Sequence, residues 1–269
     1  MTEPSSLSRF DGKVALVTGA AQGIGEVTAR LLAERGIRGL LLTDRNAERG
    51  QAVANSMAHI AKFVGADLQH AAAVEQLVPA ALAEFGRIDI VCNVAASTER
   101  GTILNTDLAL FDRIFAINVR APFFLMQAAA KAMRAQKSGG AIVNISSVNA
   151  HGGGTNLSPY SASKAALLNL TKNTAAALVW DRIRVNCILP GWVDTPGEHE
   201  TLKRFHDAPD NWLEEAEAKR PFGRLVKADE LARAVAYLAS GESGLMTGAV
   251  VDFEQGAPGS FPLQGPLED

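Results

Sequence analysis

The sequence predicts an α/β protein built on a doubly wound parallel sheet of about seven strands, with helices on both faces. Three observations predict it. Short runs rich in Val, Ile and Leu recur at 13–18, 39–43, 61–65, 88–92, 141–145, 184–189 and 249–253. Most are continuous rather than alternating, as strands buried on both faces are. Helix-patterned stretches at 24–35, 46–57, 71–85, 107–136, 159–179 and 229–239 fall between them. Strand then helix, six times over, calls for parallel pairing through right-handed crossovers. The 269 residues suit one such unit, read as a single domain over 1–269 with a small insertion.

The first strand runs directly into Thr18-Gly19-Ala20-Ala21-Gln22-Gly23-Ile24-Gly25, and a helix follows. Glycines there permit a tight turn, let the backbone approach a pyrophosphate and let helix and strand pack closely. The helix N-terminus then offers free N–H groups to phosphate oxygens. The spacing is G-x-x-x-G-x-G rather than the commoner G-x-G-x-x-G. A plain turn is the alternative, but the place between first strand and first helix favours a dinucleotide site formed by Gly19, Gln22, Gly23, Ile24 and Gly25.

The second strand ends at Asp44. A carboxylate there can accept both hydroxyls of an adenosine ribose and would repel a 2′-phosphate, so NAD is favoured over NADP. A helix-capping Asp is the alternative, and Arg45 pulls the other way because arginine accommodates phosphate. The glycine loop itself holds neither Lys nor Arg.

Past the fifth strand comes Ser147, then Tyr160 with Lys164 four residues later. Four apart on a helix, the last two share a face. An ammonium beside a phenol favours the phenolate, and a Tyr so tuned accepts an alcohol proton near neutral pH. Y-x-x-x-K alone arises readily by chance. Parallel strands, however, present all their C-terminal ends at one edge, so Ser147, Tyr160 and the glycine turn converge there. The charged stretch 196–221, too long for a plain connection, reads as a lid. The tail 256–269, with three prolines and three glycines, reads as extended chain.

Composition narrows the function classes. Twenty-six basic and 29 acidic residues give a net charge of −3, which argues against nucleic-acid or anionic-membrane surfaces. Hydrophobic residues at 47% and charged ones at 20% fit a packed core. No apolar run approaches the ~18 residues a membrane helix needs, and the polar start lacks a signal-peptide layout. A cytoplasmic protein is expected. Cys92 and Cys187 sit in apolar runs and read as buried thiols. The five histidines and the absence of C-x-x-C give no metal site.

With these motifs in order, the chain resembles the short-chain dehydrogenase/reductase family, single-domain type, over roughly 10–256. The resemblance implies a Rossmann-type fold. Thr18 to Gly25 match its T-G-x-x-x-G-x-G segment, and Asp67-Leu68 its acidic-aliphatic pair against the adenine. Asn118 matches the asparagine of a water relay to the lysine. Ser147, Tyr160 and Lys164 complete its tetrad. Pro190-Gly191-Trp192-Val193-Asp194-Thr195 matches its P-G segment, whose Val193 and Thr195 positions hold the nicotinamide carboxamide. Asn93-Val94-Ala95-Ala96 stands for the family's N-N-A-G and assigns Asn93 and Ala95 to the cofactor site; Ala96 then adds a methyl near the adenine ribose. The usual D-G-G reads Asp252-Phe253-Glu254, at an end that often forms a subunit interface. The resemblance implies a homo-oligomer, tetramer favoured.

The expected function is therefore NAD-dependent interconversion of a secondary alcohol and a ketone, with Tyr160 as general acid/base and Lys164 lowering its pKa. Reduction of a 3-oxoacyl thioester on a carrier protein is an alternative, with Arg120, Lys131, Arg134 and Lys137 as a docking patch. So are hydroxysteroid oxidation and, in a different class, a non-catalytic nucleotide-binding scaffold. The substrate expectation rests on polar residues at the pocket mouth. Asn149 and His151 follow Ser147, Trp192 and Trp212 offer flat walls, and the lid carries His199, Glu200, Lys203, Arg204 and His206. Buried polar groups need partners, which favours a small hydroxyl-rich substrate, a sugar or polyol, contacting Ser147, Asn149, His151 and Trp192.

Overall fold

The computed structural model describes residues 8–257. In chain order they form β1 (Val14–Thr18), α1 (Gly23–Glu34), β2 (Gly39–Asp44), α2 (Ala47–Asn55), β3 (Ala61–Gly65), α3 (Ala71–Glu75), α4 (Leu77–Phe85), β4 (Ile90–Asn93), α5 (Leu108–Phe115), α6 (Ala121–Gln136), β5 (Gly140–Ile145), α7 (Ser158–Leu178), β6 (Ile183–Pro190), β7 (Val193–Asp194), α8 (Pro196–His206), α9 (Trp212–Glu217), β8 (Val226–Lys227), α10 (Ala228–Ala239) and β9 (Val250–Phe253).

Seven strands make one all-parallel sheet in the order β3-β2-β1-β4-β5-β6-β9. Strands β1, β4 and β6 are buried almost throughout, which matches their continuous apolar runs. Each face carries its own core. One gathers Ala29 and Leu32 of α1 with Leu231 and Val235 of α10 against the sheet. The other gathers Leu77 and Ala81 of α4, Leu125 and Met133 of α6, and Ala175 of α7. The strand order reverses between β1 and β4, the switch point at which such sheets open a crevice.

Helix starts follow local chemistry. Asp107 caps α5 by accepting from the Leu110 N–H at 2.7 Å, and Thr195 caps α8 through the Glu198 N–H at 3.2 Å. The helix expected over 71–85 is broken between α3 and α4, where Pro79 in the first turn of α4 lacks the N–H that would continue the ladder. The helix expected over 107–136 is interrupted by a π turn, Ala116–Arg120, in which the Ala121 N–H reaches the Ala116 carbonyl. That extra residue delivers the fully buried Asn118 to a polar cluster described below.

The lid stretch folds into α8 and α9 around a small core of Leu202, Trp212, Ala216 and Leu225. Its two ends are held together where β7 pairs with β8 and where Lys227 bridges Asp194 (2.9 Å) and Glu217 (2.8 Å). The tail expected over 256–269 lies outside the described residues beyond Ala257. Among the described residues no helix is long and apolar enough to cross a membrane.

Candidate active site

The carboxyl ends of β1, β4, β5 and β6 open on one cleft of about 1270 Å³. Its floor is fixed at Thr18. The Thr18 hydroxyl accepts the N–H groups of Val94 (3.0 Å) and Ala95 (3.1 Å), tying the chain after β4 against the chain after β1. Gly19 then turns at φ +69°, where a Cβ would lie 2.9 Å from the Ala95 Cα. Backbone sign and lack of room both demand glycine. A Cβ on Gly25 would collide with the Gly19 carbonyl, so α1 starts directly against the turn. The N-cap of α1, Gln22, makes no capping bond, and its buried Oε1 has no partner. The uncapped first-turn N–H groups fit a dinucleotide pyrophosphate.

Along the same cleft, the Asp44 carboxylate accepts the N–H groups of Ala21 (3.1 Å) and Asn46 (2.9 Å). Both oxygens are thereby held at the edge of the glycine turn. Arg45 beside it is exposed and also lines the cleft. Asp67, turned by the Gln69 N–H (2.9 Å), and buried Leu68 form the next stretch of wall. Ala95 lines it too, as does Ala96, which adopts no positive φ; the alanine in place of the family's glycine is unstrained.

At the other end Ser147 Oγ accepts from the backbone N–H (3.2 Å) and Nδ2 (3.1 Å) of Asn149 and lies near enough to the Tyr160 phenol to act on it. The Lys164 ammonium donates to the Ile145 carbonyl at 2.8 Å and sits 5.7 Å from the Tyr160 ring centre. Both side chains are buried. Burial dominates Tyr160 and raises its pKa; the Ser147 hydrogen bond opposes it, Glu198 adds to it, and Arg100 opposes it. Burial also pulls Lys164 down to about 8. The expected lowering of Tyr160 by Lys164 is therefore not what shapes this site, because the ammonium is turned to a carbonyl and is itself driven toward neutrality.

Pro190, Gly191, Trp192, Val193 and Thr195 line the wall opposite the glycine turn, with Gly23 packing against Thr195. Three expected contributors do not reach the cleft. Asn93 is buried one layer below, donating to Asn144 Oδ1 at 2.8 Å. His151 lies outside because its ring bonds Asp252 of β9 at 2.8 Å. Asn118 spends its whole side chain on Ser97 N–H (2.8 Å), Ser97 carbonyl (2.9 Å) and Ser163 Oγ (3.0 Å). Trp212 is no wall either; it stacks behind Trp192 with ring centres 5.8 Å apart.

Other residues in the cleft were not singled out from the sequence. Arg100 reaches Glu198 (3.7 Å) and the Thr98 carbonyl (2.8 Å), and Glu198 accepts from the Trp192 indole (2.9 Å). Arg113 clasps Glu99 with two bonds, at 2.8 and 2.9 Å, and this holds the Glu99 carboxyl below its usual range. Arg220 covers the Trp192 ring. Glu254 lies against Gly191, where any side chain would overlap its carboxylate. Only the departure from D-G-G signalled Glu254. Of the expected docking basics, Arg134 pairs with Asp181 and Arg120 turns to the Gln69 carbonyl.

A family model described as enoyl-(acyl carrier protein) reductase matches residues 19–257. The chain belongs to the short-chain dehydrogenase/reductase family. A sorbitol dehydrogenase from Cereibacter sphaeroides is 35% identical over 254 residues, covering 92% of this chain and 98% of its own. The structure of a levodione reductase matches with TM-score 0.87 and 32% identity, covering 94% and 100%. A 3-ketoacyl-(acyl-carrier-protein) reductase from Brucella melitensis, solved with NADH, matches with TM-score 0.82 and 31% identity, covering 92% and 98%. This short-chain dehydrogenase/reductase is thus an oxidoreductase by family, on a Rossmann-like sheet.

Burial of Lys164 predicts a pH signature of stability. The folded protein releases this proton near pH 8, the unfolded chain near 10.5. Between those values the folded state binds fewer protons, so the Lys164 contribution to stability rises with pH through that window. Urea unfolding at pH 7.5, 8.5 and 9.5 should show wild type gaining on Lys164→Met, by about 3 kcal/mol at most over the full interval.

Proposed function

We propose that this chain is an NAD-dependent oxidoreductase interconverting a secondary alcohol and its ketone on a small polar substrate, with sugars and polyols favoured. The observation that carries this reading is the Ser147–Tyr160 pair beside buried Lys164, at the mouth of the glycine-floored cleft. Ser147 holds the substrate oxygen. Tyr160 first gives up its phenol proton to solvent, then as phenolate accepts the hydroxyl proton as the carbinol C–H bond breaks, and returns it in the reverse direction. The nicotinamide, when bound, supplies the hydride acceptor. Loss of the phenol proton favours the charged form of the neighbouring Lys164, so the two titrate as a pair. Lys164 also faces the position of a ribose hydroxyl in this reading. The Asn118 side chain, committed to Ser97 and Ser163, is not part of the proton relay in this reading.

Gly19, Gln22, Gly23, Ile24 and Gly25 would hold the pyrophosphate, Asp44 the adenosine ribose, Asp67, Leu68 and Ala95 the adenine side, and Pro190, Gly191, Val193 and Thr195 the nicotinamide. Asp44 favours NAD because a 2′-phosphate would meet its carboxylate. The NADH in the Brucella relative supports that choice, and the sorbitol dehydrogenase supports a polyol. Asn149 and Trp192 are the substrate contacts retained. A homo-oligomer, tetramer favoured, is supported by exposed Leu108, Phe111, Phe123 and Phe124 on α5 and α6. Buried free thiols at Cys92 and Cys187 support a cytoplasmic location.

Tyr160→Phe should lose at least about a hundredfold in kcat, while NADH binding followed by fluorescence stays near wild type. Wild-type-like turnover would sink the mechanism. Steady-state kinetics with each cofactor should show NAD preferred, and Asp44→Ala should narrow the preference about tenfold or more, since it removes charge-assisted hydrogen bonds and a repulsion together. A wild-type preference for NADP would overturn the assignment.

A further inference from the structure

In the substrate half of the cleft, arginines and carboxylates are equal in number but are not all paired with one another. Arg100, Arg113, Arg204 and Arg220 line it, together with Glu99, Glu198 and Glu254. Glu99 is clasped by Arg113. Glu198 is taken by the Trp192 indole and Arg100. Glu254 receives the backbone N–H groups of Trp192 (3.3 Å) and Gln255 (2.6 Å), one on each oxygen. The remaining lining carboxylate on α8, Glu200, faces Arg49 at 3.7 Å. Arg204 and Arg220 have no ion pair or hydrogen-bonded acceptor for their guanidinium groups among the described residues. Arg220 is the more exposed to cost, because its Nε is buried without a partner.

Its position is fixed from below. The Arg220 guanidinium lies 5.1 Å from the Trp192 ring centre, and Trp192 is tied through Glu198 to Arg100. Glu198 and Arg100 act in opposite directions on the Tyr160 phenol. A planar donor fork held over an aromatic ring at the cleft wall, with no acceptor of its own, suits a carboxylate. The terminal nitrogens of the Arg220 fork, at the cleft lining and without an acceptor, are the donors a ligand carboxylate would meet.

We propose that Arg220, seconded by Arg204, binds a carboxylate on the substrate, so that the small polar alcohol is a hydroxy acid and the ketone an oxo acid. This deepens the reading above and rests on it. A neutral polyol leaves the Arg220 charge unmatched, whereas a hydroxy acid completes it while its carbinol reaches Ser147 and Tyr160. The cofactor pyrophosphate is the other anion that could come to Arg220, and the test separates the two.

The full-length enzyme is assayed with NAD and NADP on hydroxy acids of three to seven carbons, each against its methyl ester, and on sorbitol, galactitol and aldoses. The best acid should exceed its ester about thirtyfold in kcat/KM, chiefly through KM. Arg220→Met should collapse that acid-to-ester ratio, and Arg220→Lys should restore part of it. Two readouts are independent of turnover. Butyrate and cyclohexanecarboxylate, but not their amides, should perturb the tryptophan fluorescence of the wild type. NADH affinity should be the same in Arg220→Met as in wild type. Esters or polyols outpacing every acid would overturn the carboxylate site while leaving the alcohol dehydrogenase reading intact. An unchanged ratio in Arg220→Met, or weakened NADH binding in its place, would overturn the assignment to Arg220. No oxidation of any alcohol with either cofactor would bring down both readings.

Discussion

Strands β1 and β4 run in register, Ala15 beside Ile90 and Val17 beside Cys92, so both leave the sheet at the same height, and there the Thr18 hydroxyl takes the N–H groups of Val94 and Ala95. That contact brings the two chains together at the point where the strand order reverses. Gly19 is then forced into a left-handed turn against Ala95, Gly25 has to pass under the Gly19 carbonyl, and α1 begins with uncapped N–H groups at the cleft floor. The remaining groups hang on neighbouring strand ends in the same way. Ser147 follows β5, the Ile145 carbonyl of β5 holds the Lys164 ammonium, and Gly191 follows β6. A change in register anywhere between β1 and β6 would separate groups that the chemistry needs side by side.

The parts legible in the sequence are those encoded by a local pattern at a strand end. The glycine turn, Asp44, Ser147 and the i,i+4 pair Tyr160 and Lys164 sit at cleft positions that their places at strand and helix ends indicated, and the Pro190–Gly191 segment at one that the family resemblance implied. The parts that misled depend on partners far away in sequence. Asn93 carries a polar side chain at a strand end, but its register neighbour Asn144 draws it inward. His151 stands four residues after Ser147, yet Asp252, a hundred residues on, pulls it out of the pocket. Nothing in the periodicity of 107–136 shows the π turn, because its cause is the burial of Asn118 against Ser97 and Ser163.

The electrostatics were the least legible of all. Y-x-x-x-K implies a cation depressing a phenol, but both groups are buried, and desolvation opposes the charged form of each. Burial favours the neutral Tyr160 phenol, and the Ser147 hydroxyl beside it already accepts from the Asn149 backbone N–H and Nδ2. Across the cleft, α8 and the turn after α9 bring Arg204 and Arg220 to the lining, while Lys227 and Asp194 fasten the ends of that segment. Charge in the lid is thus partly structural and partly aimed inward, a division that only the pairings reveal.

The measurement that bears most directly on this assembly is the crystal structure of the full chain grown with NADH. The dinucleotide should lie with its pyrophosphate on Gly19 to Gly25, its adenosine ribose on Asp44, and its nicotinamide between Thr195 and Tyr160, the reactive carbon facing Ser147. A dinucleotide bound elsewhere, reversed in the cleft, or absent from fully soaked crystals whose cleft is open to solvent would contradict it.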